Sequence, residues 1–139
     1  MKIIGKIILI NPNDDEHILF QKVISKSCYE AELICFASEQ TALQYLYSTD
    51  EKIFLILCSY NLLRITGVEF KKEIEANDKI RKKAIPFLFY SLSASKTQVS
   101  EAYKYNVQGF FIQPLEVSEQ VEMVDNIIAY WLLNLHPNN

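Results

Sequence analysis

The sequence is poor in glycine and in clustered charge. Only three of its 139 residues are glycine, and none of them forms part of a glycine-rich loop of the kind that holds nucleotide phosphates. The formal net charge is −3, and the longest basic run, residues 81–83, has three members. We therefore expect neither a nucleotide-binding loop nor a surface for nucleic acid.

Long apolar runs and paired cysteines are also missing. No stretch reaches the ~18 apolar residues that a membrane span requires, so no membrane association is expected. The first ten residues lack a small-residue cleavage site and predict a strand, not a signal peptide. The three cysteines, Cys28, Cys35 and Cys58, lack metal-ligand spacing. We expect Cys35 and Cys58 in the core and the protein in the cytoplasm.

What the sequence has is a series of short apolar runs separated by helical patterns. Residues 53–58 are apolar throughout, which predicts a strand buried on both faces of a parallel sheet. Similar runs predict strands at 6–10, 32–36, 86–90 and 110–112. With half of its residues hydrophobic, the chain is long enough for one domain, with a core at about 6–133.

The intervening segments predict five helices. Asp14, Ser38 and Ser95 are predicted N-caps, a third helix starts after Gly67, and Asn106 is expected in the left-handed conformation at a helix end. The first helix has an apolar face made of His17, Phe20, Ile24 and Cys28, and the last has a stripe made of Val117, Val121, Val124, Ile128 and Trp131. Strands alternating with helices predict an α/β fold with a parallel sheet covered on both faces.

Four polar residues end or follow strands in this fold: Asn11, Ser59, Ser91 and Gln113. They should meet at the carboxyl edge of the sheet, where α/β domains bind ligands. Ser59 has no charged residue within four positions, and neither His17 nor His136 is placed to act as its base. A hydrolase is disfavoured because the Gly-x-Ser-x-Gly elbow is absent, and Cys58 has no partner for redox chemistry.

Five segments share order and spacing with one family. They are Lys6-Ile-Ile-Leu-Ile-Asn11, Ser59-Tyr-Asn-Leu-Leu-Arg-Ile-Thr-Gly67, Pro86-Phe-Leu-Phe-Tyr-Ser91, Ala102-Tyr-Lys-Tyr-Asn-Val-Gln-Gly-Phe110 and Gln113-Pro-Leu115. Through them the chain resembles the CheY-like receiver domain of bacterial response regulators. The resemblance implies a three-layer, flavodoxin-like sheet in strand order 2-1-3-4-5 with five helices. It also implies a single receiver-like domain over 1–139 without an output domain.

The resemblance identifies the positions at which this sequence departs from the family. The family's phosphoacceptor aspartate is Ser59, its metal-binding acidic pair falls on Asn11 and Pro12, and its phosphate-contacting lysine is Gln113. The hydroxyl position is kept at Ser91. Three further features remain: the turn Gly67, the aromatic switch position Phe110, and Pro114, whose preceding peptide the resemblance implies to be cis.

These departures predict a pseudo-receiver without catalytic residues or cofactors. Mg²⁺ binding is expected to be lost because the ion prefers carboxylate and phosphate oxygens, and phosphoryl transfer should be lost with it. One alternative is a conventional phosphorylation switch in which the loop 14–16 reshapes to bind metal, although Asp14 and Asp15 fit a helix cap and first-turn charge. Phosphorylation of Ser59 by a serine kinase and a small flavodoxin-like enzyme are less favoured alternatives.

The resemblance also predicts a surface for protein partners. In the family, the fourth helix, fifth strand and fifth helix form the usual contact face. Here that face carries Tyr103, Tyr105, Phe110 and Tyr130 as candidate contact residues, and aromatic side chains are enriched at interfaces. The expected partners are other signalling proteins, such as a histidine kinase, a response regulator or another regulator. A homodimer through the same face is a further option.

Overall fold

A computed structural model describes residues 2–138, with side chains described from Ile4 onward; Met1 and Asn139, which bound the predicted domain, lie outside it. The five strands are β1 (Lys2–Ile10), β2 (Tyr29–Phe36), β3 (Ile53–Ser59), β4 (Phe87–Ser91) and β5 (Gly109–Ile112). They form one parallel sheet in the order β2-β1-β3-β4-β5. The predicted α/β fold and strand order are confirmed, and β1 and β2 begin earlier than predicted.

Within residues 2–138, six helices connect and cover the strands. They are α1 (Asp14–Ser25), α2 (Glu39–Ser48), α3 (Gly67–Ala76), α4 (Asp78–Arg81), α5 (Lys96–Lys104) and α6 (Val117–Leu133). The additional helix, α4, is a single turn in a polar segment that the sequence predicted to fray, so the predicted fourth and fifth helices are α5 and α6. Within the described part of the chain, no helix has the length and apolar character needed to cross a lipid bilayer.

The sheet separates two layers of core side chains. One layer packs against α2, α3 and α5 and contains residues such as Ile56, Phe70 and Phe89. The other packs against α1 and α6 and contains residues such as Leu57 and Ile128. All seven residues of β3 are buried, as expected for the central strand of a doubly wound sheet.

Most of the predicted helix ends are confirmed, and one is wrong. Ser38 and Ser95 cap α2 and α5, and Asn106 has a positive φ of 62°. The cap of α1 is Asn13, whose side chain accepts a hydrogen bond from the backbone N–H of Asp15, and not Asp14. Asparagine and aspartate cap helices about equally well, so residue type alone does not distinguish the two neighbouring positions.

Two cysteines depart from the predicted positions. Cys28 is exposed, because α1 ends at Ser25 and the residue lies beyond the helical face to which it was assigned. Cys35 is only half-buried because β2 is an edge strand, whereas Cys58 in the central strand is fully buried as predicted. Burial raises the pKa of the Cys58 thiol well above its usual value, which disfavours a thiolate nucleophile there.

Two positions next to the carboxyl edge depend on backbone geometry. A Cβ atom at Gly67 would lie 2.5 Å from Cε1 of Phe89, so glycine lets the start of α3 approach β4 closely. The described residues contain no cis peptide bond, so the prediction of a cis peptide before Pro114 is wrong. The preference between the two isomers before proline is only about 0.5–1 kcal/mol, which local packing can reverse.

Candidate functional site

Four of the six predicted pocket residues meet at the carboxyl edge of the sheet. Asn11, Ser59, Ser91 and Gln113 are all buried and line one cavity of about 380 Å³. The remaining lining residues are Asn13, Glu16, Asn61, Tyr90, Leu92 and Ser93. We call this space the strand-end cavity. Pro12 and Pro114 are half-buried beside it, and their side chains do not line it.

The two serine hydroxyls are held by the loops that follow their strands. Ser59 Oγ donates to the carbonyl of Asn61 at 3.2 Å, and Ser91 Oγ donates to the carbonyl of Ser93 at 2.8 Å. The side-chain amide of Asn61 donates to Ser91 Oγ at 3.3 Å and joins the two loops. The hydrogens of both hydroxyls are therefore directed at backbone carbonyls.

A second contact joins β1 to β4 through an amide and a phenol. Asn11 Nδ2 donates to the hydroxyl of Tyr90 at 2.8 Å, and Asn11 Oδ1 accepts from the backbone N–H of Asn13 at 2.8 Å. Burial raises the pKa of Tyr90 far above its usual range, the hydrogen bond from Asn11 opposes that rise, and the carboxylate of Glu16 adds to it. Tyr90 therefore stays a neutral phenol.

The carboxylate in the cavity belongs to Glu16, a residue that the sequence did not single out on its own. Gln113 Nε2 donates to Glu16 Oε2 at 3.0 Å, across 97 positions of the chain. Asp14 and Asp15 precede it in the first turn of α1, but both are exposed. Of the three acidic residues in the first turn, only the third lines the cavity.

Neither histidine supplies a base for Ser59. His17 Nε2 donates to the carbonyl of Asn11 at 2.7 Å, so this ring nitrogen has a backbone partner. His136 lies at the opposite end of β3, where it contacts Phe54. The contact that Ser59 Oγ makes is with a carbonyl oxygen, which cannot accept its proton.

Comparison with known proteins rests on relatives of low identity. No family model matches the sequence. The probable methanogenesis regulatory protein FilR2 of Methanothrix harundinacea (strain 6Ac) is 23% identical over 130 residues, which cover 91% of this chain and 83% of that protein.

Solved structures cover nearly the whole chain. The phosphorylated cyanobacterial phytochrome response regulator RcpA superimposes with a TM-score of 0.77 at 24% identity, covering 91% of this chain and 93% of RcpA. Response regulator RPA3017, from red light signalling of R. palustris, superimposes with a TM-score of 0.81 at 16% identity, covering 92% of this chain and 94% of RPA3017. A response regulator receiver domain from Rhodospirillum rubrum superimposes with a TM-score of 0.77 at 18% identity, covering 96% of this chain and 98% of that domain. The chain has the CheY-like receiver fold.

The residues at the receiver's metal positions differ from those that a magnesium ion prefers. Mg²⁺ takes near-octahedral oxygen ligands and is usually bound through carboxylates and phosphates. The strand-end cavity offers one carboxylate, Glu16, and one oxygen of that group already accepts from Gln113. Among residues 2–138, no three His, Cys, Asp or Glu side chains come together as a metal site.

Phe110, which the resemblance identifies as the aromatic switch position, packs against two other rings. Its ring lies 5.2 Å from that of Tyr60 and 5.8 Å from that of Phe89, between centroids. Tyr60 also contacts Phe89 edge-on at 5.3 Å. The three rings form an aromatic cluster. Because Tyr60 directly follows Ser59, the cluster packs Phe110 against the loop after β3.

The four predicted contact residues divide into two groups. Tyr103 and Tyr130 are exposed and, with half-buried Phe110, line a groove of about 840 Å³ between α5, β5 and α6, which we call the aromatic groove. Trp131 forms part of its wall. Tyr105 lies elsewhere, half-buried with the ammonium of Lys72 4.6 Å from its ring centroid, because its position at the end of α5 turns it toward α3. Of the four candidate contact residues, Tyr105 is the one that does not line the aromatic groove.

Proposed function

We propose that this chain is a receiver-like module of two-component, or phosphorelay, signal transduction that acts by phosphorylation-independent contact with other proteins. The observation that carries the proposal is the hydrogen-bonded side chains of the strand-end cavity. Ser59, Asn11 and Gln113, at the family's reactive positions, bond to Asn61, Tyr90 and Glu16 respectively. The module is proposed to be neither an enzyme nor a holder of Mg²⁺ or another cofactor.

The chemistry of phosphoryl transfer supports this proposal. The reaction needs cations to neutralise charge on the equatorial oxygens and a nucleophile placed in line with the leaving group. Ser59 is a neutral hydroxyl directed at a carbonyl, and the ten residues that line the cavity include no lysine or arginine. An incoming phosphoryl group would meet the carboxylate of Glu16 without a compensating positive charge.

The aromatic groove is the proposed contact surface. Exposed tyrosines beside a concave apolar wall are a common feature of protein interfaces. The proposed partners are a histidine kinase, a response regulator or another signalling protein, and a homodimer through the same groove is included. The proposed location is the cytoplasm, where two-component signalling domains of this fold work.

Backbone amide NMR spectra with and without Mg²⁺ and beryllofluoride test the proposal. We expect no localised shifts at Asn11, Ser59 or Ser91, because the cavity lacks the charges that hold the ion and the phosphoryl mimic. A matched control is the quadruple variant Asn11→Asp, Pro12→Asp, Ser59→Asp, Gln113→Lys, which restores all four family residues. Saturable shifts at Ser59 in the unmodified chain would refute the proposal.

A second candidate function is a conventional phosphorylation switch with a rearranged metal site. The observation that favours it is the position of Glu16, whose carboxylate already lines the strand-end cavity. Labelling with acetyl phosphate separates the two functions. Ser59→Asp alone should remain unlabelled under the first proposal, and robust Mg²⁺-dependent labelling of this single variant would favour the second.

A further inference from the structure

We infer that the strand-end cavity binds one guanidinium or primary ammonium group, carried on the side chain of a partner protein. This inference rests on the proposed function and names the chemistry by which the same site would recognise its partner. In other proteins with this fold, the corresponding site handles a metal ion and a phosphoryl group. In this chain the site would accept an organic cation.

The charge of the cavity has one sign. Glu16 is its single ionisable carboxylate, and its other nine lining residues are asparagine, serine, tyrosine, leucine and glutamine. Gln113 occupies the floor at 6% exposure and donates one hydrogen bond to Glu16, which positions the carboxylate and leaves its charge in place. Such a site attracts cations and repels phosphate.

The orientation of the hydroxyl groups acts in the same direction. The hydrogens of Ser59 and Ser91 are directed at the carbonyls of Asn61 and Ser93. The Ser59 oxygen therefore keeps its lone pairs for a donor, and the Ser91 oxygen, which already accepts from Asn61 Nδ2, keeps one. An anion would require those hydrogens to turn back into the cavity. A guanidinium group has five N–H donors in a fixed fork, and an ammonium group has three, which suits the Glu16 carboxylate and these hydroxyl oxygens.

The number of carboxylates distinguishes an organic monocation from a divalent metal. One carboxylate with neutral oxygens around it balances a single positive charge, whereas Mg²⁺ dehydrates reluctantly and is held best by several charged oxygens. The volume of about 380 Å³ is also far larger than a single metal ion needs.

The rim of the cavity favours a side chain over a free ion. Leu92 lines the cavity and is 63% exposed, so an apolar surface stands at the mouth above the polar floor. Lysine and arginine combine a charged head with an aliphatic stem that packs along apolar surface. With the carboxylate inside and the leucine outside, the charged head of such a side chain would reach the carboxylate while its stem packs against the leucine.

The test is an amide NMR titration of the full chain with n-butylguanidinium, a mimic of the arginine head and stem. We expect saturable shifts confined to residues of the strand-end cavity, among them Glu16, Asn61 and Gln113. Glu16→Gln keeps the shape and the acceptor for Gln113, and should weaken binding about tenfold, since charge-assisted hydrogen bonds are roughly twice as strong as neutral ones. Glu73→Gln, which removes an exposed carboxylate on α3, is the control and should leave binding unchanged.

Two further arms identify the source of the cation. Leu92→Ala should weaken n-butylguanidinium but leave guanidinium itself unchanged, because only the former has a stem. Spermidine binding about as tightly as n-butylammonium supports a protein side chain, whereas much tighter spermidine binding would assign the site to free polyamines and overturn that part of the inference.

The result that would overturn the whole inference is equal binding by the unmodified chain and Glu16→Gln, or shifts spread over surface carboxylates outside the cavity. Inorganic phosphate shifting the same residues at lower concentration would also overturn it. These outcomes are separate from a failure of the proposed function, which would appear as shifts with Mg²⁺ and beryllofluoride.

Discussion

The two ends of the sheet use polar side chains for different purposes. At the amino end, His136 is buried, stacks on the ring of Phe54 at 4.8 Å and donates from Nε2 to the carbonyl of Phe54 at 2.5 Å. Its Nδ1 accepts from the backbone N–H of Asn138 at 3.0 Å, which fixes the neutral tautomer. At the carboxyl end, polar side chains bond to one another and to loops around an open cavity.

The two ends differ in the partners of their polar side chains. At the amino end, side chains bond to backbone groups at the starts of strands. His136 donates to the carbonyl of Phe54, and the side chain of Gln108 accepts from the N–H of Phe87 at 2.7 Å. These bonds close the end of the sheet and stabilise it. At the carboxyl end, part of the hydrogen-bonding capacity faces a space of about 380 Å³. Under the proposed function, stability and recognition would therefore reside at opposite edges of the sheet.

The largest effect is expected from His136→Ala at the amino end. The change removes a stacked ring and the donor to the Phe54 carbonyl, and should lower the free energy of unfolding by about 2–3 kcal/mol. Urea unfolding followed by the fluorescence of Trp131, whose ring lies 6.2 Å from that of His136, measures it. Asn138→Ala, which loses only a long bond of 3.4 Å to the Ile53 carbonyl, is the control. Equal stability of the two variants would contradict this role for His136.

A smaller effect is expected from Tyr90→Phe at the carboxyl end. Loss of the hydroxyl that accepts from Asn11 should cost about 1 kcal/mol at pH 7. The pKa of Tyr90 is raised in the folded state, so the stability from its neutral form is present below pH ~10 and is lost as the pH rises above the ordinary tyrosine value. Each further pH unit costs the unmodified chain about 1.4 kcal/mol relative to the variant.

The difference between the two proteins should therefore change sign within about one pH unit above pH 10. Urea unfolding of both proteins from pH 7 to pH 11 measures it, with Tyr103→Phe as the exposed-tyrosine control. A difference that does not vary with pH would show that Tyr90 ionises equally easily in the folded and unfolded chains.

The smallest effect is expected from Gln113→Lys. The lysine would replace the amide donor to Glu16 with an ion pair at a buried position. Because attraction to the carboxylate is offset by the cost of desolvating the ammonium, the net change in stability should be about 0–1 kcal/mol. Thermal unfolding monitored by circular dichroism measures the change, and Gln113→Met, of similar size but without a donor, is the comparison. A loss above about 2 kcal/mol in the lysine variant would mean that the carboxyl end, too, is built for stability.

Local patterns in the sequence were enough for much of this structure. The apolar runs and the caps at Ser38 and Ser95 gave the elements, and the alternation of elements gave a parallel sheet. The convergence of Asn11, Ser59, Ser91 and Gln113 followed from that topology, because parallel strands end at the same edge. Four of the six predicted pocket residues line the strand-end cavity for this reason.

Other features required the assembled molecule. The approach of Glu16 to Gln113 spans 97 positions, and nothing in the run Asp14-Asp15-Glu16 shows which of its members turns inward. The burial of His136 depends on a segment after α6 folding back under β3. The separation of Tyr105 from Tyr103 depends on how α5 sits against α3, since both residues share one short segment.

By itself the sequence determined the order of strands and helices and the residues that end each strand, because hydrophobic periodicity and capping act over a few neighbouring positions. Only the tertiary structure decided which carboxylate lines the strand-end cavity and which hydroxyl hydrogens point to the loop carbonyls. It also decided that the ring of His136 covers the amino end of the sheet. Those outcomes depend on distances between side chains far apart in the chain, which packing of the whole sheet fixes.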